Sequence, residues 1–426
     1  MNDTELLERR ISVLGRNAPL FYDRPLHIVR GEGVWLEDAD GRRYLDVYNN
    51  VPNVGHCRRE VVEAIAAQAA TLNIHTRYLH ENVVRYAERL TAQFEPQLSA
   101  AMFTCTGTES NELALRLARY RTGGTGIIVS DFNYHGNSMV LAELTTAFSV
   151  PERFGRHARA VSIPDPYRAA PGQSLEQLAE QFADKVSDAI QSLEADGIKL
   201  AALLFDSVFS SEGLPALVPG YLAKAVERVR AAGGLFIADE VQGGFGRTGT
   251  SMWSYQDHGV VPDLVTLGKP MANGHPVGGV IADRDLVDAF GKAATYFNTF
   301  GGNPVSAAAG LATLDIVERD NLRRNAREVG GYIRAGLERL AARHEIIGDV
   351  RGRGLFFGLE LVEDRASKTP ATAQTKLLIN RMRERGVLMS RIGKSDNILK
   401  MRPPLIFTVE HADLLLATLD DALGTL

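Results

Sequence analysis

Two short apolar segments that each end in a charged residue limit what this chain can fold into. Residues 235–238 are followed at once by Asp239, and residues 264–267 are followed, after one glycine, by Lys269. Each segment has the length and apolar character of a buried strand. In parallel α/β sheets, ligands bind at the carboxyl ends of the strands. The pattern therefore predicts a parallel sheet with Asp239 and Lys269 at its ligand-binding edge.

An aspartate and a lysine placed in this way suit the chemistry of a pyridine-aldehyde cofactor. Burial lowers the pKa of a lysine, so that its free amine can form a Schiff base with an aldehyde. A carboxylate that faces the pyridine nitrogen keeps that nitrogen protonated, and the ring can then accept electrons from a substrate carbanion. Taken singly, Asp239 and Lys269 are better interpreted as solvated residues at two ordinary strand ends. The surrounding residues decide between these interpretations.

A second candidate ligand site lies where a predicted strand at residues 100–105 runs into a predicted helix. The connecting residues are Thr106, Gly107 and Thr108. The free N–H groups and the dipole of a helix N-terminus bind anions, and a glycine permits close approach. The same residues could instead be simple N-capping residues. Together with Lys269, this segment is interpreted as the cradle for a cofactor phosphate.

Composition and charge exclude several classes of protein. The net charge is -5 and the basic residues are dispersed, so a nucleic-acid partner is not expected. The two cysteines, Cys57 and Cys105, are too few for a disulfide framework, and no Cys/His spacing typical of a metal site occurs. No apolar run is long enough to span a membrane, and residues 1–15 lack the apolar segment of a signal peptide. A soluble cytoplasmic protein without a metal ion is expected.

The strings IADEVQGGFGRTG and LGKPMANGHPVGG closely resemble the class III aminotransferases of pyridoxal-phosphate (PLP) fold type I, and the similarity covers nearly the whole chain. The resemblance implies that Lys269 forms the Schiff base with PLP and that Asp239 partners the pyridine nitrogen. Gln242 falls where the family forms a hydrogen bond with the phenolic oxygen of the cofactor. Val241 falls where the family packs an apolar side chain on one face of the ring.

The same resemblance implies the remaining cofactor contacts. Gly107 and Thr108 fall where the family holds the cofactor phosphate, and an aromatic residue at the position of Tyr134 stacks on the ring in relatives. Thr299 matches a threonine that reaches the phosphate bound by the neighbouring subunit. The resemblance therefore implies an obligate homodimer with active sites at the interface, which could assemble further into a tetramer.

The expected fold is α/β, and its architecture follows from the pattern and the resemblance together. Predicted strands and helices alternate from residue 58 to residue 315, which favours a mainly parallel, doubly wound sheet. The resemblance implies that residues 58–315 form the large PLP-binding domain and that residues 1–57 and 316–426 together form a small α/β domain. We also predict a loop at residues 146–173, which hold four prolines, and one strand over residues 350–361.

The predicted substrate side departs from the common family pattern. Many members carry an arginine in an Arg-x-x-Pro-Pro string that clamps a carboxylate, and an earlier Glu-x-Gly string supplies a glutamate that neutralises it. Lys400 and Ser211 occupy those two positions here. Arg402 follows two residues after Lys400, which is the same face of an extended strand. Asn49 and Asn50 fall where relatives line the substrate pocket.

These departures resemble the branch that contains alanine–glyoxylate-type aminotransferases and phospho-lyases acting on phosphorylated amines. We therefore expect a PLP-dependent aminotransferase that moves an amino group from an amine or amino acid to a keto acid or aldehyde. Phosphate elimination from a phosphorylated amine and racemisation stay open, whereas a non-enzymatic role is disfavoured because the cofactor residues are all present. Lys400, Arg402 and Arg353 are candidates to bind the substrate anion. Arg402 is preferred because a guanidinium suits a carboxylate or a phosphate.

Overall fold

The computed structural model describes residues 2–426. Its α-helices are α1 (Asp3–Leu14), α2 (Arg59–Thr71), α3 (Glu81–Thr91), α4 (Gly107–Thr122), α5 (Met139–Ala142), α6 (Leu175–Ala195), α7 (Tyr221–Ala231), α8 (Arg284–Ala293), α9 (Pro304–Arg319), α10 (Leu322–Arg343), α11 (Thr372–Glu384) and α12 (Val409–Leu423). Within residues 2–426, no helix combines the length and the apolar character needed to cross a membrane.

The strands of the same residues form three sheets. They are β1 (Ile28–Glu32), β2 (Trp35–Asp38), β3 (Arg43–Asp46), β4 (Ala100–Thr104), β5 (Gly126–Ser130), β6 (Ala158–Val161), β7 (Leu200–Asp206), β8 (Leu235–Asp239), β9 (Leu264–Leu267), β10 (Gly278–Ala282), β11 (Ile347–Arg353), β12 (Phe356–Asp364), β13 (Thr369–Pro370), β14 (Val387–Leu388), β15 (Ser390–Ile392) and β16 (Ile398–Met401).

The largest sheet has seven strands in the order β4-β10-β9-β8-β7-β5-β6. Strand β10 runs antiparallel to both of its neighbours, and the pairs from β9 to β6 are all parallel. Strands β5, β7, β9 and β10 are buried along their whole length, so they appear in the sequence as unbroken apolar runs. One apolar cluster joins the sheet to α4 and α8, and another joins it to α6, α7 and α9. The expected mainly parallel, doubly wound sheet is confirmed.

Two smaller sheets are built from the two ends of the chain. Strands β1, β2 and β3 pair in sequence, and β14 adds to β3 in parallel, with Val387 opposite Leu45. Strands β11, β12, β16 and β15 form the other sheet, and β13 pairs with β12. The N-terminal and C-terminal segments therefore meet in one sheet. The domain boundaries at residues 57 and 315 stay a prediction.

Two expectations about local structure are wrong. Residues 146–173 are not a loop throughout, because β6 pairs in parallel with β5 at the edge of the large sheet; its four residues are too few to show a periodicity. Residues 350–361 do not form one strand, because β11 and β12 are an antiparallel hairpin. The hairpin turns at Gly354, which has φ +57°, and a Cβ there would lie 2.3 Å from the carbonyl oxygen of Arg247. That contact is tertiary and is not visible in the sequence.

Candidate active site

The carboxyl ends of β7, β8 and β9 lie side by side at one edge of the large sheet. In the register of these strands Asp206 lies opposite Asp239, and Asp239 lies opposite Thr266. Lys269 opens the short 3-10 turn that follows β9. A cavity of about 210 Å³ lies over these ends. Seven of the predicted cofactor residues line it: Gly107, Thr108, Tyr134, Asp239, Val241, Gln242 and Lys269.

The environment of Lys269 shifts the pKa of its amine in the direction that favours the predicted free amine. Burial lowers the pKa of Lys269, and the positive charge of Arg402 lowers it further, whereas Asp239 and Asp206 act in the opposite direction. Among residues 2–426 the structure shows no hydrogen bond or ion pair of this amine. A lysine with a lowered pKa and no partner is available as a nucleophile and as a base.

The Asp239 carboxylate is fixed from three directions. Its Oδ1 accepts a hydrogen bond of 3.0 Å from the backbone N–H of Val241. Its Oδ2 accepts one of 2.9 Å from Asn111 Nδ2 and lies 2.8 Å from His135 Nδ1. Asp239 is 5% exposed, so these bonds replace hydration and keep the carboxylate in one orientation.

The sequence interpretation missed Asn111 and His135. Both line the cavity, and both are almost fully buried. Asn111 is held in turn by Thr266, whose hydroxyl donates to Asn111 Oδ1 at 2.6 Å, and it donates to the carbonyl oxygen of His135 at 2.7 Å. Asn111 lies four residues after Gly107 in α4, one turn along the same helix face, and this spacing was the available signal.

The predicted phosphate cradle is the N-terminus of α4, where chain segments approach closely. Thr106 caps the helix, with its side chain accepting from the N–H of Glu109 at 3.1 Å. A Cβ on Gly107 would lie 3.0 Å from the methyl groups of Val241, and a Cβ on Gly268 would lie 3.2 Å from the Gly107 backbone. Glycine at these two positions leaves the helix N–H groups accessible from the cavity. This geometry fits a bound phosphate.

The other two predicted cofactor residues differ in where they lie. Tyr134 lines the cavity, is 37% exposed and meets Phe148 edge-on, with the ring centroids 5.1 Å apart. Thr299 is exposed, in the connection between α8 and α9, and does not line the cavity described here. Its neighbour Asn298 donates to Glu109 at 3.0 Å, which places the segment beside the start of α4. A contact of Thr299 with a neighbouring subunit stays a prediction.

The cavity residues fit PLP. The glycine-lined helix N-terminus suits its phosphate, the oriented Asp239 carboxylate suits a protonated pyridine nitrogen, and the unpaired Lys269 amine suits its aldehyde. When bound, the cofactor supplies an electron sink for the substrate. The same residues give the phosphate, ring and aldehyde of one molecule three separate partners in a single cavity.

Arg402 lies next to this cavity and is tied to it by hydrogen bonds. Its Nε donates to the carbonyl oxygen of Tyr48 at 2.9 Å, and its Nη1 donates to Gln242 Oε1. Gln242 Nε2 donates to Ser210 Oγ, which donates to Asp206. The predicted cofactor contact Gln242 therefore also joins the predicted substrate residue Arg402 to the end of β7. Burial lowers the pKa of Arg402.

Lys400 is enclosed beside Arg402 without a counter-ion. It is 4% exposed, and its ammonium lies 5.6 Å from the ring centroid of Phe356. No hydrogen bond or ion pair of the Lys400 amine is found in the described chain, residues 2–426. Burial lowers the pKa of Lys400 well below its usual value, and the charge of Arg402 contributes. A buried amine without a partner is unusual, because burial of an unsatisfied polar group costs stability.

Ser211 stands where many relatives have a glutamate, and the sequence interpretation overlooked the glutamate at the next position, Glu212. Ser211 is half-buried, and the next residue, Glu212, accepts a hydrogen bond from Ser130 Oγ. The other carboxyl oxygen of Glu212 is buried and unpartnered among residues 2–426. Burial raises the pKa of Glu212 to about 8, and the charge of Asp206 adds to the effect. At pH 7 this group is mostly neutral, so it does not cancel the charge of nearby cations.

The remaining substrate candidates differ in whether their side chains already have partners. Asn50 is 1% exposed, and neither its amide nitrogen nor its amide oxygen has a partner among residues 2–426. Asn49 is instead used within its own turn, donating to Asp46 at 3.0 Å. Arg353 forms an ion pair with Asp257 at 2.9 Å. This ion pair competes with the suggested binding of a substrate anion by Arg353, which stays a prediction.

Comparison with known proteins identifies a family model and several relatives that match this chain. A family model described as aminotransferase class-III matches residues 21–423. The mitochondrial alanine–glyoxylate aminotransferase 2 homolog 2 of Arabidopsis thaliana is 40% identical over 422 residues, 97% of this chain and 86% of the relative. Ethanolamine-phosphate phospho-lyase homolog 1 of Caenorhabditis elegans is 35% identical over 441 residues, 98% of this chain and 93% of the relative.

Solved structures include a protein that has the same fold as this chain over nearly its whole length. A phospholyase from Arthrobacter in complex with phosphoethanolamine is 53% identical to this chain and has a TM-score of 0.97. The match covers 99% of this chain and 100% of that chain. The similar proteins thus include enzymes named for amino transfer and enzymes named for phosphate elimination.

Proposed function

Because this chain belongs to the class III aminotransferase family, whose members are PLP-dependent enzymes of fold type I, we propose that it eliminates phosphate from a small phosphorylated amine. The predicted family, branch, fold type and cofactor are confirmed by these matches. The proposal selects, within the family, the reaction that was the alternative to amino transfer in the sequence interpretation.

The observation that carries the proposal is the unpaired Lys400 amine beside Arg402. Lys400 has no hydrogen-bond partner within residues 2–426, and Arg402 uses Nε and Nη1 but not Nη2 in that part of the chain. A group with two negative charges and several acceptor oxygens would satisfy both side chains at once. A bound phosphate would also raise the lowered pKa of Lys400 and favour its charged form.

A carboxylate explains the same residues less well. The arginine that clamps a carboxylate with two parallel hydrogen bonds in many relatives is absent, and lysine is a point charge without that planar fork. Because the pKa of Glu212 is raised to about 8, this group contributes little negative charge near Lys400 at pH 7, which leaves Asp206 as the carboxylate that favours the charged amine. Two cations with little compensation favour a dianion over a monoanion.

The residues of the cofactor cavity supply the chemistry of the proposed reaction. The Lys269 amine is placed to take a proton from the carbon that bears the substrate amino group. The carbon–oxygen bond to phosphate then breaks, and phosphate leaves with the electron pair of that bond while Lys400 and Arg402 hold it. Water converts the remaining unsaturated amine to an aldehyde and ammonia. Asn50, buried with a free amide, is proposed to orient the substrate chain.

Amino transfer to a keto acid is the second candidate function. It is favoured by the 40% identity with the Arabidopsis alanine–glyoxylate aminotransferase 2 homolog. In that reaction Arg402 and Lys400 would hold the carboxylate of the keto acid, and Lys269 would return the proton to the cofactor rather than retain it.

One experiment separates the two candidates. The holoenzyme is mixed with O-phosphoethanolamine, and inorganic phosphate, acetaldehyde and pyridoxamine phosphate are measured in the same sample. The proposal expects phosphate and aldehyde in equal amounts without accumulation of pyridoxamine phosphate. Keto-acid-dependent consumption of an amine, with no phosphate released from any phosphorylated amine, would instead establish amino transfer.

The proposed enzyme is a cytoplasmic homodimer. Exposed Thr299 lies between Phe297 and Phe300, which are 38% and 69% exposed, and a second copy of the chain would cover this apolar surface. A tetramer remains an alternative assembly. Light scattering of the holoenzyme measures the assembly, and loss of cofactor affinity in Thr299→Val would support a contact with the phosphate across the interface.

A further inference from the structure

We propose that Asp46 positions Arg402 for the anionic group of the substrate; this inference rests on the function proposed above. Asp46 ends β3 and is fully buried. Its Oδ1 accepts backbone hydrogen bonds of 3.0 Å from both Tyr48 and Asn49. Its Oδ2 accepts one of 3.0 Å from Asn49 Nδ2 and lies 2.7 Å from His56 Nε2. The carboxylate therefore fixes the turn that follows β3.

This turn is the surface against which Arg402 is held. The backbone N–H of Arg402 donates to the carbonyl oxygen of Val47 at 2.8 Å. The side-chain Nε donates to the carbonyl oxygen of Tyr48 at 2.9 Å, and the guanidinium carbon lies 4.5 Å from the Tyr48 ring centroid. A displacement of the turn would move all three contacts together, because they belong to two consecutive residues.

The arrangement orients Arg402 without occupying its last donor. Within residues 2–426 no hydrogen bond joins Asp46 to Arg402, so the carboxylate does not compete with a substrate anion for Nη2. The negative charge of Asp46 nevertheless favours the charged form of the buried guanidinium. Asp46 thus supplies orientation through Tyr48 and part of the charge balance through its own charge, while Nη2 of Arg402 stays available to an anion.

Asp38 provides a matched control for a purely structural aspartate. It ends β2 in the same small sheet and accepts backbone hydrogen bonds from Asp40 at 3.1 Å and Arg42 at 2.9 Å. Its other oxygen accepts from the Tyr44 hydroxyl at 2.8 Å. None of the groups that it binds contacts Arg402. Loss of either carboxylate removes comparable hydrogen bonds. Only Asp46 is connected to the anion site, the name used here for the neighbouring side chains of Lys400 and Arg402.

The test compares Asp46→Asn, Asp38→Asn and the unchanged holoenzyme. Measurements are kcat and KM for O-phosphoethanolamine, the inhibition constant of inorganic phosphate, the affinity for PLP and the thermal midpoint. For Asp46→Asn we expect KM and the phosphate inhibition constant to rise roughly tenfold, which corresponds to about 1.4 kcal/mol, with kcat and PLP affinity nearly unchanged. For Asp38→Asn we expect a lower thermal midpoint with KM unchanged.

A second variant is available if the first does not fold, and specific outcomes would overturn the proposal. If Asp46→Asn does not fold, Tyr48→Leu is used, because it removes the ring under Arg402 and leaves the Asp46 hydrogen bonds to the backbone in place; its KM should also rise. Equal KM and phosphate inhibition in the unchanged enzyme and the folded variant would overturn the role of Asp46, as would a loss confined to kcat. A holoenzyme that releases no phosphate at all would contradict the proposed function instead.

Discussion

The cofactor cavity and the neighbouring anion site treat buried polar groups in opposite ways. In the cavity, Asp239 is held by Val241, Asn111 and His135. In the anion site, the Lys400 side chain is as deeply buried, but its amine has no hydrogen-bond partner within residues 2–426. Within the folded chain, three hydrogen bonds hold the Asp239 carboxylate, whereas the Lys400 amine proposed to bind substrate has none.

The fold itself stabilises the first region and leaves the second to be stabilised by a ligand. A carboxylate held by three hydrogen bonds is rigid before any ligand arrives and contributes to catalysis through its fixed orientation. An unpaired buried amine lowers the stability of the folded chain until an anion satisfies it. Substitutions should therefore damage function alone in the first region, and should exchange function for stability in the second.

The largest expected effect comes from removing the Lys269 amine, the group proposed to accept the substrate proton. In Lys269→Ala, turnover should fall by roughly 10²–10⁴-fold or more, because the group proposed to transfer the proton is lost. The α4 cradle should still retain part of the cofactor through its phosphate. Phosphate release and the PLP retained after gel filtration measure the two effects. Lys292→Ala, at an exposed position in α8, is the control. Repeated turnover at near the unchanged rate would remove Lys269 from the mechanism.

The second test breaks the fixed carboxylate while keeping its shape. Asp239→Asn should slow proton removal from the substrate on the order of a hundredfold, because a neutral amide no longer stabilises a protonated pyridine nitrogen. Exchange of the substrate proton with deuterated water measures that step. Asp263→Asn is the matched control, because Asp263 precedes β9 and accepts from the N–H of Phe236 at 2.9 Å, away from the cavity. An unaltered exchange rate in Asp239→Asn would contradict this role.

The third test concerns the Lys400 amine, which has no hydrogen-bond partner in the described chain. Lys400→Met should raise KM for O-phosphoethanolamine roughly 10–100-fold, the effect of losing a hydrogen bond to a charged group. The same change should raise the thermal midpoint measured without substrate, because an apolar side chain replaces a buried amine that has no partner. Opposite signs for binding and stability would be the signature of this site. A lower midpoint with KM unchanged would mean that Lys400 is structural.

The smallest expected effect is a pH dependence that arises from Glu212. Its pKa is raised from 4.5 to about 8 in the folded chain, so between these values the unfolded chain ionises the group while the folded chain keeps the proton. Its contribution to stability therefore falls as the pH rises through this window. Glu212→Gln should match the unchanged protein near pH 4 and exceed its thermal midpoint at pH 8 by roughly 1–3 °C. Exposed Glu194→Gln serves as the control, and identical pH profiles would refute the buried, protonated state.

The cofactor cavity was largely predictable because its residues follow strands that are visible in the sequence. Asp239 comes directly after a short apolar run, Lys269 comes one glycine after another, and Gly107 follows a third predicted strand. Parallel strands place such ends at the same edge, so sequence order alone indicates proximity. The resemblance then added Tyr134, Val241 and Gln242, which the structure also places at the cavity.

The anion site was less predictable because its contacts depend on tertiary packing. Nothing local indicates that Gln242 joins Arg402 to Ser210, that Arg353 is neutralised by Asp257, or that Glu212 lies beside Lys400. The same reason accounts for the missed strand β6 and for the hairpin at Gly354. Both depend on a neighbour that is distant in the sequence.

The meeting of the two chain ends in one sheet has a consequence for how specificity can change. Asp46 and Tyr48 belong to the N-terminal segment, and Lys400 and Arg402 to the C-terminal segment, whereas the residues lining the cofactor cavity lie between Thr106 and Lys269. Substitutions in the terminal segments can therefore alter which anion is accepted while the residues that hold the cofactor stay the same. A gene that exchanged only these two segments with a relative would be expected to inherit the relative's substrate and keep its own cofactor site.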